Sequence, residues 1–283
     1  MRPDPRFLDF GKHFWANVRS ISQVIGYTVR GRSEIRVPST AEMHLAMKKL
    51  NLETKHLEDA DENLTDFARN LSDYFQHRAD VLNSFVEPRL MNGDEAKEMF
   101  EELRGKLHPT CPLPMNKQRG EKRAHAFFTC IINMLIEANA GGHTCDYDPR
   151  KLTTVTSDGT PLRTMARRLD GAFPSPVNPI AVWEIKEYYY TTTFGSRVAD
   201  GVYETLLDGM EVEELRRSEG YDLKHYLMVD AHYTWWECGR SYLCRIVDML
   251  HMGYIDEVLF GREVPERLPQ LVLEWVGIAE RRH

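Results

Sequence analysis

Asp170, Glu184 and Lys186 are the side chains in this chain whose types and spacing could do chemistry. They fall between Arg167 and Tyr190, in RRLDGAF, then PSPVNP, then IAVWEIKEYYY. Two β-prone runs flanking a loop with Pro174, Pro176 and Pro179 predict paired strands around a turn that stays out of the ladder. Strand side chains alternate, so Glu184 and Lys186 share one face and Ile185 takes the other. If the hairpin is symmetric about Val177, residue 173 opposes 181 and residue 170 opposes 184. Opposed Cβ atoms stand about 4.5–5.5 Å apart, where two carboxylates repel unless a cation lies between them. Hard oxygen donors suit Mg²⁺. A Glu-x-Lys step on a solvated strand face would need no such partner. Val182, Trp183 and Ile185 predict a largely buried strand instead, where charges are rare unless paired or metal-bound.

The elements that must position this hairpin follow from pattern. Phe7, Phe10, Phe14, Val18, Ile21 and Ile25 recur at steps of three or four and predict a helix over 6–25 that ends near Gly26. A short β-prone piece, YTVRGRSEIRVP, comes next. Ser39-Thr-Ala-Glu42 has the form of a capping box and opens a helix to about Leu50. Leu57, Leu64, Phe67, Leu71, Phe75 and Leu82 mark a longer helix that Pro88 stops or kinks, and a further helix spans 94–106. HPTCPLP, 108–114, reads as the junction between a mainly helical N-terminal region, 1–112, and a second part, 113–283.

The second part opens with NKQRGEKRAHAFFTCIINMLIEANA, which predicts one long helix from Asn116, ended by Gly141-Gly142. A stretch with one strand and turns leads to the hairpin. Ser196 is then placed to cap a helix through RVADGVYETLLD, ended by Gly209. KHYLMVDAHY reads as a buried strand, SYLCRIVDMLHMG as a helix and IDEVLFG as a last central strand. The order predicts an α/β fold, a central mixed sheet with helices on its faces.

Composition narrows the function classes. The 283 residues allow one large domain or two modest ones. No apolar run is long enough to span a bilayer, MRPDPRFLDF does not read as a signal peptide, and five cysteines fit reduced thiols in a cytoplasm. There is no CxxC pair to suggest zinc, and no GxGxxG, Walker-type or HExxH motif, so phosphates would arrive with a substrate rather than a nucleotide cofactor. A net charge of −7 is awkward for a nucleic-acid binder, but it is unevenly spread. Residues 1–50 hold nine Lys/Arg against four Asp/Glu, whereas 51–106 hold seven against fourteen.

An Asp, then 13 residues, then Glu-x-Lys resembles the PD-(D/E)xK nuclease superfamily, whose best-populated branch is the type II restriction endonucleases. The likeness covers roughly residues 117–262; Leu169 stands where the family often has a proline. The resemblance implies a restriction-endonuclease-like core preceded by the helical N-terminal region. It implies a prokaryotic, cytoplasmic, Mg²⁺-dependent enzyme cutting double-stranded DNA at a specific sequence, a homodimer working beside a cognate DNA methyltransferase. Asp170 and Glu184 would hold one or two Mg²⁺ with the Ile185 carbonyl, and Lys186 would orient the attacking water or stabilise charge. The family's first core helix often brings a glutamate to the site. Glu121 is the matching residue, and a first-turn glutamate favoured by the helix dipole is the other reading. Arg30, Arg32, Arg36, Lys117, Arg119 and Arg197 are candidate DNA contacts, although a solvated hairpin would equally explain the first three. A repair or recombination nuclease of the same superfamily, and a non-catalytic DNA-binding protein keeping the fold, are the alternatives.

Overall fold

A computed structural model of the chain describes residues 1–29, 34–59, 61, 63–118, 121–190 and 195–282. The side chains of residues 117, 118, 121–123 and 196 lie outside what is described, as do Arg30, Arg32 and Arg119 altogether.

The N-terminal stretch is helical. The expected single helix over 6–25 is two: α1, Pro5–Leu8, and α2, Lys12–Ile25, separated at Asp9–Gly11. Phe14, Trp15, Val18 and Ile21 face inward from α2, and Gly26 closes it with a positive φ of 83°. The box at Ser39 caps α3, Thr40–Lys49, with both reciprocal bonds to Glu42 formed. Helix α4, Asp66–Val81, loosens into a π turn at Leu82–Val86 and a 3-10 turn at Glu87–Arg89, where Pro88 removes a backbone donor. Helix α5 covers Gly93–Leu107.

The expected long helix from Asn116 begins eleven residues late. Strands β1, Met115–Gln118, and β2, Glu121–His125, form an antiparallel hairpin, and α6 runs over Phe127–Asn139. Residues 117–123 contain no apolar side chain, so a helix there would have no face to bury. Glu121 therefore stands on a strand and not in the first turn of a core helix.

A second hairpin, β3 (Thr154–Ser157) with β4 (Thr160–Thr164), turns at Asp158-Gly159, both at positive φ. Four strands then make the main sheet in sequence order: β5 (Gly171–Phe173), β6 (Ala181–Glu187), β7 (Lys224–Asp230) and β8 (Glu257–Phe260). β5 pairs antiparallel with β6, while β6–β7 and β7–β8 are parallel, joined by α7 (Ser196–Glu219) and α8 (Arg240–His251). β8 thus lies at a sheet edge, not at its centre, and α9, Val264–Arg282, follows it. Mixed α/β architecture is what the sequence predicts.

Helix α7 runs ten residues past Gly209, to Gly220. Glycine ended the expected helix because it is a common stop, but here it permits contact. A Cβ on Gly209 would stand 2.5 Å from the Tyr254 carbonyl oxygen.

Alternation along the strands splits the core. Ala181, Trp183, Ile185, Tyr226, Met228 and Leu259 face α5, α6 and α9, where Trp183 stacks on Trp275 at 5.7 Å. Leu227, Val229, Val258 and Phe260 face the other side, against α8 and the end of α4. The N-terminal helices have their own apolar cluster around Phe14, Leu71 and Phe75. Tyr74 and Arg78 of α4 reach from it to Asp248 of α8.

Candidate active site

The hairpin register centres on Val177: Phe173 opposes Ala181, Ala172 opposes Val182 and Gly171 opposes Trp183. Asp170 sits one step beyond the end of β5. Its N–H donates to the Trp183 carbonyl at 3.1 Å, and its Oδ2 accepts the Ile185 N–H at 2.8 Å. The carboxylate thus turns toward β6. Ile185 points its side chain to the opposite face, among the residues packed on α6 and α9.

Glu184 is fully buried and Lys186 nearly so, both on the face covered by α7. Lys186 Nζ donates to Glu184 Oε2 at 2.6 Å and to Glu204 Oε2 at 3.3 Å. Gly201 lets the helix approach, since a Cβ there would meet the Lys186 side chain at 3.3 Å and the Tyr188 hydroxyl at 3.0 Å. Arg167, on the loop before β5, completes the cluster. Its Nη1 lies 2.9 Å from Glu184 Oε1 and 2.7 Å from Asp208 Oδ2, and its Nη2 lies 3.3 Å from Glu204 Oε2. Four carboxylates thus surround two cations. Asp170 and Glu204 are the members open to solvent, so the cluster is accessible on their side.

Electrostatics sharpen the roles. Burial works against the Lys186 ammonium, but Glu184 and Asp170 outweigh it and hold its pKa above the usual lysine value. Arg167 is likewise penalised by burial and more than compensated by Glu184, Asp208 and Glu204. Asp208 is pushed up to about 7, first by burial and then by the Glu184 charge, against the pull of Arg167. Protein packed around one side of the Asp170 carboxyl, which still reaches solvent on the other, and then the Glu184 charge, push its pKa up to about 6. A lysine held charged is an electrostatic partner for an anion and not a free base.

Two buried oxygens bear on whether a cation fits. Asp208 Oδ1 has no hydrogen-bond partner, and Glu184 Oε1 faces Arg167 without the angle of a hydrogen bond. Hard, under-satisfied carboxylate oxygens are the donor chemistry Mg²⁺ takes. Against this, no three His, Cys, Asp or Glu side chains among the described residues converge as a ready metal cage, and Arg167 stands between two of the carboxylates.

The other expected site residues are dispersed or lie outside the described set. Arg36 is engaged by Glu42, and Arg197 is exposed at the start of α7 beside Tyr188, whose hydroxyl donates to the Arg197 carbonyl at 3.5 Å. Lys117 and Glu121 lie on the β1–β2 hairpin with side chains outside the described set; Arg30, Arg32 and Arg119 are outside it entirely. Sequence reasoning missed Arg167, Glu204 and Asp208. Gly201, Glu204 and Asp208 recur at helical spacing, a stripe that places polar groups toward the core.

Glu187, the last residue of β6, was missed too. It caps α6, accepting the Thr129 N–H at 3.0 Å and its hydroxyl at 2.9 Å. Burial pushes its carboxyl up to about 7 against those bonds.

No helix among the described residues is long and apolar enough to cross a membrane. No curated protein and no solved structure matches the chain. Residues 1–85 are similar to the family described as "Domain of unknown function (DUF7690)". Residues 91–275, which hold the whole main sheet and every member of the charge cluster, match the family described as "Domain of unknown function (DUF7687)", and the chain belongs to that family.

Proposed function

We propose that the chain is a Mg²⁺-dependent, sequence-specific endonuclease of the PD-(D/E)xK type, cutting double-stranded DNA as a type II restriction enzyme does. The observation that carries this reading is the pairing of buried Glu184 and Lys186 on one strand face, with the carboxylate of Asp170, just before β5, turned toward β6. Glu184 and Asp170 would hold the cation. When bound, Mg²⁺ polarises a phosphoryl oxygen and lowers the pKa of a coordinated water. Lys186, kept charged by Glu184, stabilises the negative charge that builds on the scissile phosphate. Glu204 orients the lysine from α7. Arg197, exposed in the first turn of α7, supplies a phosphate contact. A homodimer would set two such sites across a palindromic duplex, and a methyltransferase of matching specificity would protect host DNA.

One observation favours a second reading, a DNA-binding protein that keeps the fold without cutting. Arg167 takes up Glu184, one of the two carboxylates assigned to the cation, together with Asp208 beside it. Incubation with unmethylated phage DNA and Mg²⁺, beside Lys186→Ala and a chelator control, separates the two. The nuclease reading expects discrete bands that vanish with the chelator and fall at least about 10²-fold in rate with Lys186→Ala. Retarded DNA with no cleavage under any divalent ion supports the second reading. Bands that survive the lysine change overturn the site assignment.

A further inference from the structure

Helix α7 has a second wall. On the side away from the charge cluster, it meets α2 and α8 around a cleft of about 360 Å³. Arg19, Tyr27, Tyr203, Leu206, Arg245 and Met249 line it. The volume falls in the range of small-molecule sites.

The charges there are unusual for so acidic a chain. Arg245 donates to the Tyr203 hydroxyl at 3.0 Å and lies over the Tyr27 and Tyr242 rings at 5.2 and 5.1 Å. Arg19 reaches the Met252 sulfur at 3.4 Å. Among the described residues neither guanidinium forms an ion pair, whereas Arg167, Arg216 and Arg267 all do. Asp248 reaches the cleft floor, but its charge is committed. Arg78 approaches both its oxygens at 3.1 and 3.2 Å, and the Tyr74 hydroxyl donates at 2.5 Å. Two arginine forks without a carboxylate partner among the described residues therefore stand beside an exposed tyrosine ring and the apolar side chains of Leu206 and Met249.

That pairing is selective. Arginine forks match phosphate oxygens in two-point contact, and a flat apolar body fits the ring and aliphatic wall. We propose that this cleft binds a nucleoside phosphate, with Arg19 and Arg245 on the phosphate and the base against Tyr203 and Leu206. No glycine-rich phosphate motif announces the site in the sequence, because its parts come from three separate helices. The proposal is independent of the nuclease reading, since none of the cleft residues belongs to the charge cluster.

The test is calorimetric titration of the full chain with AMP, GMP, CMP and UMP, beside adenosine and inorganic phosphate. At least one mononucleotide is expected to bind with a Kd below about 1 mM and more tightly than either adenosine or phosphate alone. Arg245→Gln should weaken that binding roughly tenfold or more, as loss of a charged hydrogen bond does, while Arg217→Gln on the exposed end of α7 leaves it unchanged. Tyr203→Ala, at a ring that is 55% exposed, serves if the arginine variant fails to fold. It should weaken the nucleotide and spare phosphate. No mononucleotide binding at about 5 mM, phosphate binding as tight as the nucleotide, or affinity untouched by both changes overturns the proposal.

Discussion

Replacing Arg167 with Met asks whether that guanidinium holds the charge cluster together. It stands 2.9 Å from Glu184 and 2.7 Å from Asp208, whose side chains are 0% exposed. At such separations an ion pair is worth roughly 4–6 kcal/mol before desolvation is counted. Removing one partner of a buried pair costs about 3–5 kcal/mol, and the 26% exposure of Arg167 argues for the lower end, about 3 kcal/mol. The cost must depend on pH. Asp208 titrates near 7 in the fold because Arg167 opposes its burial. Without the arginine its folded pKa rises further, while the unfolded value stays near about 3.9. A carboxyl raised on folding stabilises most below its unfolded pKa, and that stability is lost as pH climbs through the folded pKa. The variant therefore holds up to one more proton than the parent above neutrality, and its deficit grows by up to about 1.4 kcal/mol per pH unit. Urea unfolding followed by circular dichroism should show a loss of about 1 kcal/mol at pH 6 and about 2–3 kcal/mol at pH 8. Equal losses at both pH values, or less than about 0.5 kcal/mol at pH 8, would refute the claim that Arg167 neutralises buried carboxylates.

Two further substitutions probe what positions the sheet. Gly209→Ala should gain about 1 kcal/mol of helix propensity, yet its Cβ would meet the Tyr254 carbonyl at 2.5 Å; a net loss of about 1–2 kcal/mol in urea unfolding is expected, and a gain would show that α7 can shift. Asp230, fully buried at the end of β7, accepts the Met91 and Ala231 N–H groups at 2.7 and 2.8 Å and the Tyr189 hydroxyl. Asp230→Ala strands two buried backbone donors and should cost about 2–4 kcal/mol, with faster amide exchange at Met91; unchanged exchange there would dismiss the tether.

What the sequence made legible was local. The hairpin register could be read because three prolines fix where the ladder stops and alternation fixes which face each charge takes. The capping box at Ser39 was equally plain, since its partners are three residues apart. The apolar run from Ala124 to Leu135 is so strong that it drew the helix backward over 116–123, although those residues have no face to bury. Gly209 was misread for a different reason: the same residue stops a helix or admits a neighbour, and only the distant Tyr254 decides which. Arg167 is the sharpest case. It sits three residues before Asp170 in the very stretch that drew attention, yet its role is set by Asp208 and Glu204, which come from a helix more than thirty residues on. Spacing along one hairpin could announce a need for positive charge beside Asp170 and Glu184. Arg167 answers that need at Glu184 together with carboxylates that α7 brings from far along the chain, and Gly201 leaves α7 room beside the Lys186 side chain.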